Sequence, residues 1–258
     1  MQLIAIKTRL VEQNSDLVET ILDSISSQKL KIENGDIIAV ASKVVATAQN
    51  QVKKLDVVKL SEQARKLARA YALEPNFVEI VLQEADRVYG GVQKALLTLK
   101  DDILTANAGV DHKNAPKGYA VAWPKEPFKT AEKLRKGISE AIGKRVGVII
   151  VDSRVTPLRL GTTGLALAVA GFEPVKDHRG EADLYGKTIL ITRHALADDL
   201  ASAAHLLMGE SDEQTPFVLI KGAPVKTAEH VESSSLLISP EECLYTKYVL
   251  KGVVKERL

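Results

Sequence analysis

The stretch Val146–Gly164, VGVIIVDSRVTPLRLGTTG, decides how this chain is read. Its opening run, Val146 to Val151, is apolar, rich in β-branched residues and broken only by Gly147, which predicts a buried strand. The run stops at Asp152-Ser153, a carboxylate followed by a hydroxyl where the strand gives way to a loop. Such a pair presents oxygen ligands to a hard cation, and it is equally an ordinary turn or helix cap. Pro157, Arg159 and the Gly161/Gly164 pair then supply a turn, a fixed positive charge and a flexible return to an apolar segment.

Working outward, Thr130 begins an amphipathic helix (Leu134, Ile138, Ile142) that ends at Gly143 and delivers the chain to the strand. Downstream, Leu165–Val169 is apolar, and Phe172–Tyr185 is a charged, glycine-punctuated loop holding Lys176, Asp177, Arg179 and Asp183. Thr188–Thr192 reads as a strand, Ala197–Met208 as a helix ending at Gly209-Glu210, and Phe217–Lys221 as another strand. Ser239-Pro240-Glu241-Glu242 reads as a helix start.

In the first half, Leu3–Ile6 forms a strand, Thr8–Val11 leads away from it, and Asp16 caps a helix through Leu17, Ile21 and Ile25. After the Asn34-Gly35-Asp36 turn, Ile37–Ala41 is a second buried strand that also ends in a polar pair, Ser42-Lys43. Ser61 caps one helix and Pro75 opens another. Ala95–Leu99 and Ile103–Ala106 form a hairpin around Asp101-Asp102, and its second arm runs on to Asp111. Strands and helices alternate without regular βαβ spacing, so the expected class is α+β, a mixed α/β fold. The expected organisation is a single unit over 1–258 with a smaller subdomain around 155–190.

Composition narrows the function. The 258 residues are 45% hydrophobic, enough for a sizeable core. A net charge of +2 indicates no nucleic-acid-binding arm, and 4% aromatics argue against a base-stacking single-strand binder. The one cysteine, Cys243, excludes an internal disulfide framework and a cysteine-rich zinc site. No apolar stretch approaches the roughly 20 residues of a membrane span, and MQLIAIKTRL turns polar too soon for a signal peptide. A cytoplasmic protein is expected.

Three carboxylates, Asp111, Asp152 and Glu210, stand at the ends of predicted elements, and Mg²⁺ or Mn²⁺ prefers such hard oxygen ligands. Spacing does not show that they converge, and each is equally a solvated surface acid. The histidines, His112, His178, His194, His205 and His230, show no tight ligand spacing.

Five motifs occur in order: Asn107–Asp111 with Asn114, Gly147–Ser153 with Arg159 and Gly161, Asp183–Lys187, Ala197–Ala201, and Leu207–Glu210. This set resembles the coenzyme F420-0:L-glutamate ligase family (F420-0 γ-glutamyl ligase), from the first strand to about Gly222. The resemblance implies a fold particular to that family, an intertwined homodimer, and a GTP-dependent ligase (ATP being the alternative donor) that joins L-glutamate to F420-0 through an acyl phosphate. Small molecules are then the partners, with no nucleic acid or membrane. By position, Asp111, Asp152, Ser153 and Glu210 match the metal ligands. Asn114, Ser42, Lys43 and the segment Thr8, Arg9, Leu10, Val11 match nucleotide contacts. Asp152 and Arg159 are the expected catalytic pair, Arg159 as a bidentate clamp on phosphate or carboxylate.

Two runs depart from the family pattern. Thr47-Ala48-Gln49-Asn50 lacks the second lysine and the Glu-Gly pair, and Val155-Thr156 replaces a Gly-Arg pair. Two alternatives follow: a γ-glutamyl ligase acting on a folate, and a non-catalytic nucleotide-binding paralogue.

Overall fold

The computed structural model of the chain describes residues 1–248. In chain order the elements are β1 (Gln2–Ile6), α1 (Leu17–Ser27), β2 (Ile37–Ala41), α2 (Ser42–Ala48), β3 (Val52–Lys54), α3 (Glu62–Tyr71) and α4 (Pro75–Glu84). Next come β4 (Arg87–Val92), β5 (Ala95–Lys100), β6 (Ile103–Ala106), β7 (Tyr119–Val121), α5 (Pro127–Ile142), β8 (Gly147–Val155) and β9 (Thr162–Ala170). The last are β10 (Lys176–Asp177), β11 (Arg193–His194), α6 (Leu196–Met208), β12 (Phe217–Lys221) and α7 (Leu244–Tyr248). The content is α+β, as expected.

The central sheet has the order β1-β12-β2-β8-β9, and β2 with β8 is its one parallel pair. Its middle strands read as continuous apolar runs because both faces are covered. Ile38, Val40, Val148, Ile150, Phe217 and Leu219 pack with α1 and α5, through Ile21, Ile25, Leu134 and Ile138. The alternate residues Ile37, Ala39, Ile149, Val151, Val218 and Ile220 pack with α6, through Ala197, Leu200, Ala201 and Ala204. The Asp16 carboxylate caps α1 by accepting from the N–H groups of Val18 and Glu19 at 2.9 and 3.2 Å. A third cluster, Leu55, Ala64, Phe77, Val81, Leu96 and Val110 among others, joins α3 and α4 to the sheet β4-β5-β6.

Several expectations are corrected. β8 does not stop at Asp152-Ser153 but continues to Val155, since β9 keeps pairing with it (Asp152 with Leu165, Ser153 with Gly164). The arm from Ile103 ends at Ala106 rather than Asp111, because Asn107, Ala108 and Gly109 all adopt positive φ and turn the chain out of the ladder. α5 starts at Pro127, three residues before Thr130, with the proline in the first turn. Thr188–Thr192 is not a strand: Thr188 makes one bridge to Ala182, and the short ladder falls at Arg193–His194. Leu190 and Ile191 are exposed there, with no sheet to bury them. Ser239-Pro240 makes a turn, with Ser239 O accepting from Cys243 N at 2.9 Å, and the helix begins only at Leu244. Residues 155–190 hold the tip of the β8–β9 hairpin, all of β9 and the exposed loop that follows, and the third core cluster lies within 55–122. The expected unit's last residues, 249–258, lie outside the described residues.

Candidate functional site

The parallel pair positions the site. Ala41 at the end of β2 is in register with Val151 of β8, so the next residues, Ser42 and Asp152, emerge side by side. The crevice outside the carboxyl ends of parallel strands is a common place for ligands in α/β sheets. β1 finishes at the same edge, where Ile6 pairs with Phe217, the first residue of β12. Thr8 N donates to Gln214 O at 3.2 Å, and Ala41 N to Pro216 O at 2.9 Å.

A cleft of about 430 Å³ opens along this edge. Its walls contain Thr8, Arg9, Leu10, Val11, Ser42, Lys43, Asp111, Asn114, Asp152, Ser153 and Glu210. Every residue matched to metal or nucleotide thus lines one cavity, though their elements are scattered through the chain. Arg159 does not line it. The β8–β9 hairpin runs on past the sheet and carries 156–161 out with it, and Arg159 is exposed there. Lys176 and Arg179 are also outside, and Arg179 is closed on its neighbour Asp177 at 2.5 Å. His112 is exposed and stacks on Phe77 with ring centroids 4.2 Å apart.

The three carboxylates are held differently. Asp111 is paired with Lys43 at 2.5 Å and accepts from Lys113 N at 2.9 Å, while Lys43 Nζ also donates to Lys113 O at 2.7 Å. Glu210 meets Lys113 Nζ at 2.5 Å, Thr162 Oγ1 at 2.5 Å and His205 Nε2 at 2.9 Å. Burial alone would raise the Glu210 carboxyl, but the Lys113, Thr162 and His205 contacts and the Lys113 charge hold it down at about 2. The hydrogen bond to Glu210 correspondingly raises Lys113. Gly209 makes this placement possible: its φ of +75° ends α6, and a Cβ there would fall 2.1 Å from Glu213 Cδ.

Asp152 has only neutral donors at hydrogen-bonding distance. Ser42 Oγ donates to Oδ1 at 3.0 Å, and Trp123 Nε1 donates to Oδ2. Burial pushes this carboxyl above its ordinary range, against the opposing pull of those bonds, the Ser153 backbone and the charge of Lys43. An enclosed carboxylate without an ion pair is a charge that a bound cation would stabilise. Among the described residues no three His, Cys, Asp or Glu side chains are gathered closely enough to hold a metal alone. The donor chemistry nevertheless fits a hard cation: Asp111, Asp152, Ser153 and Glu210 supply only oxygen, and such ions commonly complete their shell with water and phosphate oxygens.

Lys113, Trp123, Thr162 and His205 were not singled out by sequence. Lys113 lies between two matched residues, and Trp123 is the only tryptophan of a chain with few aromatics, which was the available signal. The departing run also finds a use. Gln49 Oε1 accepts from Lys125 N at 2.8 Å and Nε2 donates to Thr130 Oγ1 at 2.9 Å, tying down the segment after Trp123.

The family model described as F420-0:gamma-glutamyl ligase matches residues 5–222. The chain belongs to this family. Among its relatives, the coenzyme F420:L-glutamate ligase of Methanopyrus kandleri is 39% identical over 215 residues, covering 83% of each chain. That of Methanocaldococcus jannaschii is 40% identical over 195 residues, 75% of this chain and 78% of the relative. That of Archaeoglobus fulgidus is 35% identical over 216 residues, 84% of this chain and 85% of the relative.

Proposed function

We propose that this chain joins L-glutamate in γ-linkage to coenzyme F420-0, with GTP as phosphoryl donor and Mg²⁺ or Mn²⁺ held among Asp111, Asp152, Ser153 and Glu210. The observation that carries the reading is the single cleft in which those four residues meet Ser42, Lys43, Asn114 and Thr8–Val11, in a chain that matches named ligases over four fifths of its length. A carboxylate is a poor electrophile at neutral pH, so amide formation begins by transferring a phosphoryl group to it. The glutamate amine, in its uncharged form, then attacks the acyl phosphate and releases phosphate. A divalent ion supplies charge neutralisation for the phosphates. The chain's own residues bind and orient: Lys43 and Lys113 bring fixed positive charge to the cleft, and Ser42 and Asn114 offer hydrogen bonds. No protein nucleophile with a positioned base is required.

A cytoplasmic homodimer belongs to the same reading. No helix among the described residues is long and apolar enough to cross a membrane. Leu158 and Leu160 on the projecting hairpin, and Leu184, Tyr185, Leu190 and Ile191 on the following loop, are large apolar side chains in full or nearly full exposure. Surface of that kind marks an interaction site, and a second copy supplies a matching one. Replacing Leu158 and Leu160 together by Asp is expected to move the molar mass measured by light scattering from dimer to monomer. A native protein that is monomeric at micromolar concentration would refute the dimer.

The activity is tested by mass spectrometry, with F420-0 and a reduced folate offered in parallel, each with glutamate, divalent metal, and GTP or ATP. A gain of one glutamyl unit on F420-0 with GTP is the expected result. Addition to folate alone would overturn the acceptor, and nucleotide binding without addition to either would point to a non-catalytic paralogue. Neither alternative is favoured by the relatives, which carry the F420 name.

A further inference from the structure

We propose that Trp123 is a positioning residue, its indole N–H fixing the orientation in which the Asp152 carboxylate meets a divalent cation. This rests on the reading of the cleft as a cation site. Two donors from separate elements hold Asp152, one on each oxygen: Ser42 at the head of α2, and Trp123 just after β7. One side-chain donor per oxygen sets the plane of the carboxyl group, and with the Ser153 backbone as a third contact the two oxygens still hold lone-pair capacity for another partner. Outer donors of this kind orient metal ligands and are costly to remove.

The indole is itself fixed from several sides. It is 4% exposed and belongs to the core cluster that includes Val45, Leu134 and Ile150. One edge sits directly on Gly109, where a Cβ would lie 2.1 Å from Nε1. The residues before and after it are tied to one short run: Ala122 N donates to Gln51 O at 3.0 Å, and Lys125 N to Gln49 Oε1 at 2.8 Å. Packing alone requires only that a buried indole N–H find some acceptor. Here it finds the one carboxylate of the three that has no lysine partner. Asp111 and Glu210 are held by flexible, partly exposed lysines that a ligand can displace, so Asp152 is the fixed corner of the site.

The single tryptophan makes a clean test possible. Growth on β-(3-benzothienyl)alanine replaces the indole N–H by sulfur in a ring of nearly the same shape, at this position alone. Mn²⁺ affinity is read from the electron paramagnetic resonance signal of free Mn²⁺, with and without GTP, beside a thermal melt. The expected result is an affinity about tenfold weaker or more, with the melting midpoint close to native. Trp123→Phe, which also lacks the N–H, should weaken Mn²⁺ similarly. Equal affinity in native and substituted protein overturns the proposal, as does a loss confined to the Phe variant, which would mark a packing role. Absence of Mn²⁺ binding in the native protein, with and without GTP, would instead sink the cation site itself.

Discussion

Asp152→Asn is expected to lower cation-dependent glutamyl transfer by on the order of 10²–10³-fold, the scale seen when one electrostatic contact to a developing charge is lost, while leaving the fold intact. The amide is nearly isosteric, so Ser42 Oγ and the core around β8 are undisturbed, but the negative charge is gone. Stability should move the other way. Burial raises the folded-state Asp152 carboxyl above its unfolded value, so the folded chain holds this proton more tightly. Stability from that preference is complete below the unfolded value and is lost as pH rises through the folded value. Without metal, at any pH above that folded value, the ionised group is therefore a burden that asparagine removes. The metal-free variant should melt at or above the native midpoint, and divalent metal should raise the midpoint of the native protein more than that of the variant. Thermal melts with and without Mg²⁺, run beside the glutamylation assay, measure both. Unchanged turnover would refute the metal role of Asp152.

The same residue marks how much the sequence disclosed. Val146–Val151 and Ile37–Ala41 were legible as buried strands because a strand covered on both faces has no polar side to show. Their polar endings, Ser42-Lys43 and Asp152-Ser153, were legible as candidates. Their adjacency was not, because parallel pairing of β2 with β8 is a long-range fact that neither segment encodes. The extent of β8 was misjudged for a related reason: Asp152 and Ser153 look like a loop, yet the ladder with β9 carries them to Val155 and removes Arg159 from the cleft. The resemblance to a family brought the matched residues together in prospect. Lys113, Trp123, Thr162 and His205 escaped it, since each acts on a carboxylate far away in sequence or across a helix end, and such contacts leave no local pattern. The run 47–50 shows the converse. By sequence it showed only what it lacks, the second lysine and the Glu-Gly pair, whereas in the structure Gln49 braces the Trp123 segment.

That brace and its counterpart below the ring lead to the largest expected loss of stability, Gly109→Ala. Gly109 is the third residue of a turn in which Asn107 and Ala108 already adopt φ of +52° and +51°. Its own φ is +71°, which costs an alanine about 1–2 kcal/mol. The new methyl group would also stand 2.1 to 2.3 Å from Nε1, Cε2 and Cδ1 of Trp123, too close for any contact, so the ring must shift. Overpacking of this kind costs about 1–3 kcal/mol more, for roughly 2–5 kcal/mol in total. In a chain of this length that lowers the melting midpoint by on the order of 10 °C. Gly118→Ala is the matched control: its φ is +83°, but no atom lies within 4 Å of the added Cβ, so only the backbone cost applies. The difference between the two variants isolates the collision with the indole. Because the ring that moves is the one donating to Asp152 Oδ2, Gly109→Ala should weaken Mn²⁺ binding as well, whereas Gly118→Ala should not. Equal melting midpoints in the two variants would mean that the ring is not seated on Gly109, and the rigid support assigned to Asp152 would go with it.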